Sequence, residues 1–315
     1  MNKKVSVIIA AYNAKETIAR AVNSALAENG ISQVIIVDDA STDETGKIAA
    51  ACDDGTNRLE ILTQPKNAGP SAARNRALER CRSEWITILD ADDFFLPGRI
   101  AGLLAYADQA DMIADDMWQV PEENPNGPRR ALLGEGTELP CAVTLEDFVM
   151  SNITRSGQER KELGFIKPLI RNEILKRNNI HYKENMRLGE DYELYTRTLA
   201  SGAKLLLVPA QGYVSVVRAG SLSGRHTPED LRHLRDCNKT LLSDFPDLPQ
   251  SAKAALKRHY HDTNCRLQWR LLIEAVKKRD IIATAKTFMH PWPVPLYLLE
   301  KLAEQFKIRI LRHPA

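Results

Sequence analysis

The 315-residue sequence has no apolar run approaching the roughly 20 residues that cross a bilayer as a helix. Its five cysteines, Cys52, Cys81, Cys141, Cys237 and Cys265, are odd in number, widely scattered and without a CxxC pair. That spacing argues against a disulfide framework or a zinc site and fits a reducing compartment. Internal repeats and low-complexity tracts are lacking as well. Charge of one sign is not in excess: 43 Lys+Arg against 41 Asp+Glu leave +2, too little to argue for nucleic acid. The amino terminus lacks a leader pattern. The run Val5–Ala11 is short, and Tyr12-Asn13-Ala14-Lys15-Glu16 follows without a small-residue cleavage site, so it reads as a first buried strand.

What is present is strand–helix alternation. Val5–Ala10, Gln33–Val37, Leu59–Thr63 and Trp85–Leu89 are apolar runs of strand length, and Met112–Ala114 is a fifth. Between them, Glu16–Leu26, Thr45–Cys52, Pro70–Arg80 and Pro97–Ala107 have helical character. Such alternation predicts an α/β fold with a mostly parallel sheet flanked by helices. In such sheets ligands lie beyond the carboxyl ends of the strands. Here those ends carry Ala11-Tyr12-Asn13, Asp38-Asp39 and Asp90-Ala91-Asp92-Asp93, so five carboxylates and a tyrosine are expected on one rim. Further on, Pro121–Gly136 reads as a loop, Thr144–Asn152 as a helix with a capping box, and Pro168–Asn178 as a helix. A helix Tyr192–Ala200, strands Lys204–Val208 and Gly212–Val217, and amphipathic helices Pro228–Leu242 and Ser251–Lys278 follow.

Asp90 and Asp92 share one side of an extended segment. Two carboxylates there suit Mg²⁺ or Mn²⁺, which also bind phosphate oxygens and neutralise a leaving diphosphate. A solvated acidic turn is the alternative for a bare DxD, and its place on the ligand rim favours the site. In Val37–Asp43 an Asp at a strand end can accept from a base or ribose, or cap a helix. In Asn67–Asn75, Gly69 allows close backbone approach, Pro70 opens a helix, and Arg74 is placed one turn in to meet a phosphate. An ordinary surface arginine is the alternative.

These four segments, in this order and spacing, resemble the family 2 glycosyltransferases, which have the Rossmann-like GT-A fold. The second half fits through Gly164-Phe165-Ile166-Lys167-Pro168 and Gly189-Glu190-Asp191-Tyr192, and is similar to glucosyltransferases of succinoglycan-type exopolysaccharide assembly. The resemblance implies a GT-A domain over 1–225, with a nucleotide-sugar half at 1–115 and an acceptor half at 116–225, then a helical basic extension at 226–315. It also implies roles. Ala11 and Tyr12 would border a uracil, and Asp39 would hold its ring N–H. Arg74 would lie near the base or diphosphate, Asp90 on the ribose side with Ala91 between it and Asp92, and Asp92 would be the direct metal ligand. Asp93 would support the loop. Asp191 matches the catalytic base, with Glu190 beside it, although an acidic helix N-terminus is what these two residues alone describe. Arg218, Arg225 or His226, in a Gly/Ser-rich basic segment, would contact donor phosphates; an ordinary surface turn is the alternative.

The implied partners are a UDP-sugar donor, a Mn²⁺ or Mg²⁺ cofactor, and a saccharide acceptor on a polyprenyl diphosphate carrier. The expected location is cytoplasmic, peripheral to the inner face of the cell membrane. From Lys253 onward 13 Lys+Arg face 5 Asp+Glu. The stretch Leu298–Leu311 mixes apolar and basic residues behind Trp292 and Tyr297, which describes either a helix packed on the body or one lying on an anionic membrane surface. Three other classes share parts of this pattern. A nucleotidyltransferase wants a Gly-rich basic loop where Ala11-Tyr12-Asn13-Ala14 stands. A phospho-receiver module wants an Asp where Leu62-Thr63-Gln64 ends the third strand. A catalytically inactive nucleotide-sugar-binding relative is disfavoured because all the candidate carboxylates are present.

Overall fold

The computed structural model describes residues 3–134, 138–153, 162–218 and 226–312. The first strands form where apolar residues run without interruption. β1 (Val5–Ala11) is buried almost throughout. α1 (Ile18–Leu26) turns Ile18, Ala21, Val22, Ala25 and Leu26 inward. β2 (Ile31–Asp38), α2 (Thr45–Ala50), β3 (Leu59–Thr63), α3 (Pro70–Leu78) and β4 (Trp85–Ile88) complete the alternation. Then come β5 (Phe94–Phe95), α4 (Arg99–Leu104), β6 (Met112–Asp115), β7 (Trp118–Pro121), β8 (Arg130–Ala131), β9 (Cys141–Val143) and α5 (Leu145–Ser151). After a 3₁₀ turn at Leu163–Phe165 follow β10 (Leu169–Arg171), α6 (Asn172–Arg177), α7 (Glu190–Ala200), β11 (Leu205–Val208) and β12 (Tyr213–Val217). Four helices close the chain: α8 (Pro228–Asp244), α9 (Gln250–Lys277), α10 (Ile281–Phe288) and α11 (Val294–Arg312).

The main sheet has eight strands in the order β3-β2-β1-β4-β10-β6-β11-β9. β1 pairs parallel with β2 and β4, and β2 with β3. β11 is parallel to β6, while β10 runs antiparallel between β4 and β6. The fold is therefore the mixed α/β GT-A architecture. β10 lies more than fifty residues beyond β6 in the chain yet pairs between it and β4, so remote segments share one sheet.

Two expectations need correction. Pro168–Asn178 is not one helix: its first residues form β10, and only Asn172–Arg177 is helical. Leu169, Ile170 and Arg171 fill the slot between β4 and β6, and that ladder outranks local helix propensity. The segment Pro121–Gly136 is not wholly loop, because Arg130–Ala131 pairs with Trp118–Gln119. That pairing belongs to a second sheet, β5-β12-β7-β8, with its own small core of Phe94, Val120, Val214 and Val216. The capping box at α5 is present as read, with Thr144 and Asp147 each bonding the other's backbone N–H.

The carboxyl-terminal helices divide by packing. Leu234, Cys237 and Leu241 of α8 and Ala255 and Leu256 of α9 join the main core. Cys265, Leu272, Val294 and Leu298 form a separate cluster under Trp269, Phe288 and Tyr297.

Candidate functional site

The rim begins where β1 and β2 end. Asp39 N–H donates to the Ala11 carbonyl, which sets the two strand ends side by side. Ala11 is buried and Tyr12 is half exposed. The Asp39 carboxylate already has three protein donors: Gln64 Nε2 and Ala68 N reach Oδ1 at 2.7 and 2.8 Å, and Gly69 N reaches Oδ2 at 2.7 Å. One lone pair on Oδ2 is left for a ligand. The clamp fixes the entry to α3, where Gly69 adopts φ +91, a conformation that glycine tolerates and other residues resist. The neighbouring Ser41–Thr45 turn serves β1 rather than only capping α2. Ser41 Oγ accepts from Asn13 N, Thr45 Oγ1 from Ala14 N, and Asp43 from Lys15 N.

With α3 aimed this way, Arg74 is buried and reaches three carboxylates. Nη2 lies 2.9 Å from Asp90, and Nη1 lies 2.8 Å from Glu190 and 3.6 Å from Asp191. Lys167, delivered by the approach to β10, bridges the same groups: its Nζ is 3.2 Å from Asp90 and 2.6 Å from Asp191. Burial opposes charge on Asp90, but Lys167 and Arg74 outweigh it and hold that carboxyl down at about 2. Burial, aided by Asp191, pushes the Glu190 carboxyl up. Asp191 also accepts from the Tyr182 hydroxyl at 2.9 Å.

Glu190 and Asp191 occupy the first turn of α7, where amide dipoles favour carboxylates. Gly189 makes that start possible. It sits at φ +71, and a Cβ there would come within 2.6 Å of Leu234 Cδ1 on α8. Below it, the Tyr192 hydroxyl donates to buried Asn238 and the ring stacks on His259, pinning α7 to α8 and α9.

The acidic loop after β4 is divided by role. Asp93 is buried and accepts from the Tyr213 hydroxyl and Val216 N, both at 2.8 Å, which ties the loop to β12. Its carboxyl lies well above the ordinary range, through burial and then the charges of Asp90 and Asp92. Asp92 has the most open carboxylate of the loop, with Arg218 Nε at 3.7 Å; burial and Asp90 raise its pKa. Its backbone carbonyl accepts from Arg20 at 2.7 Å.

A divalent cation fits this donor set in one way. Among the described residues no group of three or more His, Cys, Asp or Glu is placed to hold a metal. Asp90, Glu190 and Asp191 each face a cation at hydrogen-bond distance, so Asp92 is the carboxylate left to coordinate. One carboxylate with diphosphate oxygens and water is a normal arrangement for Mg²⁺.

Asp90, Glu190, Asp191 and Arg74 are brought together, with Ala91 and Asp92 on the same loop and Asp39, Ala11 and Tyr12 on the same rim. Arg218 stands between Asp92 and Glu122. His226 lines a cavity between α8, α9 and α11. Arg225 falls outside the described residues. Tyr182, Tyr213, Arg20 and Gln64 are not singled out by the motifs, and Lys167 stands in the Gly164–Pro168 segment without a role assigned to it. Lys167 had a signal, as a lone cation inside the otherwise apolar Phe165–Ile170, where a buried lysine needs a partner. The phenols had none.

An eight-stranded α/β sheet with the acidic loop after β4 and an acidic pair opening α7 defines a GT-A glycosyltransferase. Comparisons agree. The pattern described as glycosyl transferase family 2 matches residues 6–165. The chain is 39% identical over 302 residues to the succinoglycan biosynthesis protein ExoU of Rhizobium meliloti (strain 1021), spanning 96% of this chain and 87% of that one. Among solved structures, S. aureus TarS 1–349 in complex with UDP-GlcNAc superposes with a TM-score of 0.62 at 19% identity, covering 90% of both chains. The mannosyltransferase PcManGT from Pyrobaculum calidifontis, in complex with GDP-Man and Mn²⁺, gives 0.59 at 17% identity, covering 94% of this chain and 83% of that one. The chain belongs to glycosyl transferase family 2.

Proposed function

We propose that the chain is an inverting hexosyltransferase that moves glucose from a UDP-sugar to a saccharide carried on a polyprenyl diphosphate, at the inner face of the cell membrane, in bacterial exopolysaccharide assembly. One observation carries the reading: Lys167 Nζ joins Asp90 of the donor rim to Asp191 of α7, so groups remote in sequence share one site. The likeness to ExoU supports the polysaccharide class. Residues 1–115 are the donor side, 116–225 the acceptor side, and 226–315 an extension.

In this reading Asp191 takes the proton of the acceptor hydroxyl. The hydroxyl oxygen bonds to the anomeric carbon as the bond to the diphosphate breaks, and the electron pair leaves with the diphosphate. A single displacement inverts the carbon, with no enzyme nucleophile. Asp191 keeps an unused lone pair on each oxygen for this task, and Tyr182 and Lys167 fix its orientation. Asp92 would hold Mn²⁺ or Mg²⁺ together with donor oxygens, which would supply positive charge to offset that of the leaving group. Arg218, beside Asp92, is placed to meet donor phosphate, while Arg74, buried and held by Asp90 and Glu190, lends its charge to the donor side from beneath. Glu190 is the second candidate for the base, favoured by its raised pKa and by a side chain more exposed than that of Asp191, 17% against 9%.

The test is a thermal-shift screen of nucleotide-sugars with Mn²⁺. UDP-glucose stabilises the chain, and GDP- and dTDP-sugars do not. Because one fold accommodates both UDP and GDP donors, stabilisation by a GDP-sugar alone overturns the UDP assignment. Transfer rates of Asp191→Asn and Glu190→Gln, compared under saturating donor, assign the base.

A further inference from the structure

Ten of the thirteen exposed large hydrophobic side chains among the described residues lie between Val276 and Ile308. They do not scatter. On α11, Leu296, Leu299, Leu302 and Phe306 recur at helical spacing and form one outward stripe, while Val294 and Leu298 on the opposite face bury against α9. Ile281, Ile282, Met289 and Trp292 extend the apolar surface over α10 and the turn that follows it, with Ile281 83% and Trp292 72% exposed. Exposed Lys277, Lys278 and Arg279 flank it. At the inner edge of α11 a cavity of about 360 Å³ opens between α8, α9 and α11. Arg266, Arg270 and Lys301 line it with Trp269 and Tyr297, and its carboxylate, Glu304, pairs with Lys301 at 2.7 Å.

We propose that this cavity holds the phosphate-bearing headgroup of an anionic membrane lipid, while the outer stripe of α10 and α11 rests in the bilayer surface. Charge selects the occupant. Arg266, Arg270 and Lys301 face one carboxylate, Glu304, in the cavity, and exposed Lys277, Lys278 and Arg279 add positive charge beside the apolar surface. A second copy would set that positive face against its like, whereas an anionic leaflet complements it. No helix among the described residues is long and apolar enough to cross a membrane, so the contact is interfacial. The cavity is also within chain reach of the transfer site. His226 at its wall is eight residues from Arg218 beside Asp92, a span of at most about 28 Å of chain. The inference deepens the reading of a lipid-linked acceptor by naming the surface that meets the lipid. Its test reads lipid binding without donor or acceptor, so either reading can fail alone.

The full chain is sedimented with vesicles of phosphatidylcholine, with and without phosphatidylglycerol. It binds the anionic vesicles, and Trp292 fluorescence shifts to the blue, a shift absent in Trp292→Phe. The pairs Leu299→Ser with Phe306→Ser, and Arg270→Glu with Lys301→Glu, each weaken binding by on the order of tenfold or more. All four side chains lie at or near the surface, and an unchanged thermal shift with UDP-glucose, or an unchanged circular dichroism spectrum, verifies folding. Undiminished vesicle binding in either double variant overturns the proposal, as does failure of the unaltered chain to bind. Two further results overturn it. One is a vesicle-independent dimer abolished by Leu299→Ser with Phe306→Ser, which would assign the stripe to a second copy. The other is stabilisation by inorganic diphosphate that requires Arg270 and Lys301 while vesicle binding does not, which would make the cavity a soluble-anion site.

Discussion

Two of the buried ionic groups among the described residues are built differently. Arg99 and Asp115 form a closed pair. Arg99 is wholly buried, bonds Asp115 at 2.8 Å and the Lys167 carbonyl at 2.6 Å, and lies against the Phe95 and Tyr213 rings. Asp115 Oδ2 also accepts from the backbone N–H groups of Gln211, Gly212 and Tyr213. The cluster at the rim is open: three carboxylates, Asp90, Glu190 and Asp191, share two cations, Arg74 and Lys167, and Asp92 stands beside them toward solvent. A closed pair holds strands and loops in register. An open cluster with surplus anionic charge has capacity for a cation, a phosphate or a proton.

The comparison breaks most visibly through the proposed base. Asp191→Asn lowers kcat by roughly 10²- to 10⁴-fold, the usual worth of general-base catalysis, with little change in melting temperature. Asp92→Ala falls comparably and abolishes the response to Mn²⁺. Next comes Arg99→Met, which strands Asp115 in the interior and costs about 3–5 kcal/mol in urea unfolding, while turnover per folded molecule is kept. If Arg99→Met spared stability and lost turnover, the division between closed and open groups would be wrong. A smaller effect is expected from pH. Asp90 is held at about 2, below its ordinary 3.8, so its stabilising contribution is full above pH 4 and fades as pH falls toward 2. The stability gap between the unaltered chain and Asp90→Asn therefore closes over that interval, and a gap that stays constant to pH 2 would deny the pairing with Lys167 and Arg74. The smallest is Tyr12→Ala on the open rim. Loss of a stacking ring raises KM for the donor by about 2- to 10-fold and leaves kcat alone.

The two halves of the sheet also differ in how far they can be read from the chain. β1, β4 and the Val34–Val37 stretch of β2 are largely apolar runs, β3 is a shorter mixed one, helix-length segments separate them, and the parallel order follows from that pattern. β10 has three residues, and β5 and β8 have two, too few for a period of two to register. These segments become strands because of the neighbours they meet. The site divides in the same way. Asp90, Asp92, Glu190, Asp191 and Arg74 advertise themselves as charged residues at strand ends and helix starts. Tyr182 and Tyr213 do not, because a phenol shows no partner until the fold sets it against Asp191 or Asp93, and Lys167 shows only that it needs a partner, not which one. Asp39 was legible as a rim carboxylate, but not as the clamp on Ala68 and Gly69 that aims α3.

β10 has a further meaning for the chain as it is made. Its partner β4 ends at Ile88, whereas β10 begins at Leu169. At bacterial-to-eukaryotic synthesis rates of about 5–20 residues per second, the newborn amino-terminal half waits roughly 4 to 16 s with one flank of its sheet unzipped. During that interval it offers a ready template to any passing extended peptide. A chaperone that shields this flank on the ribosome would be expected to raise the yield of native protein, and a fragment ending at Asp115 should clump rather than fold.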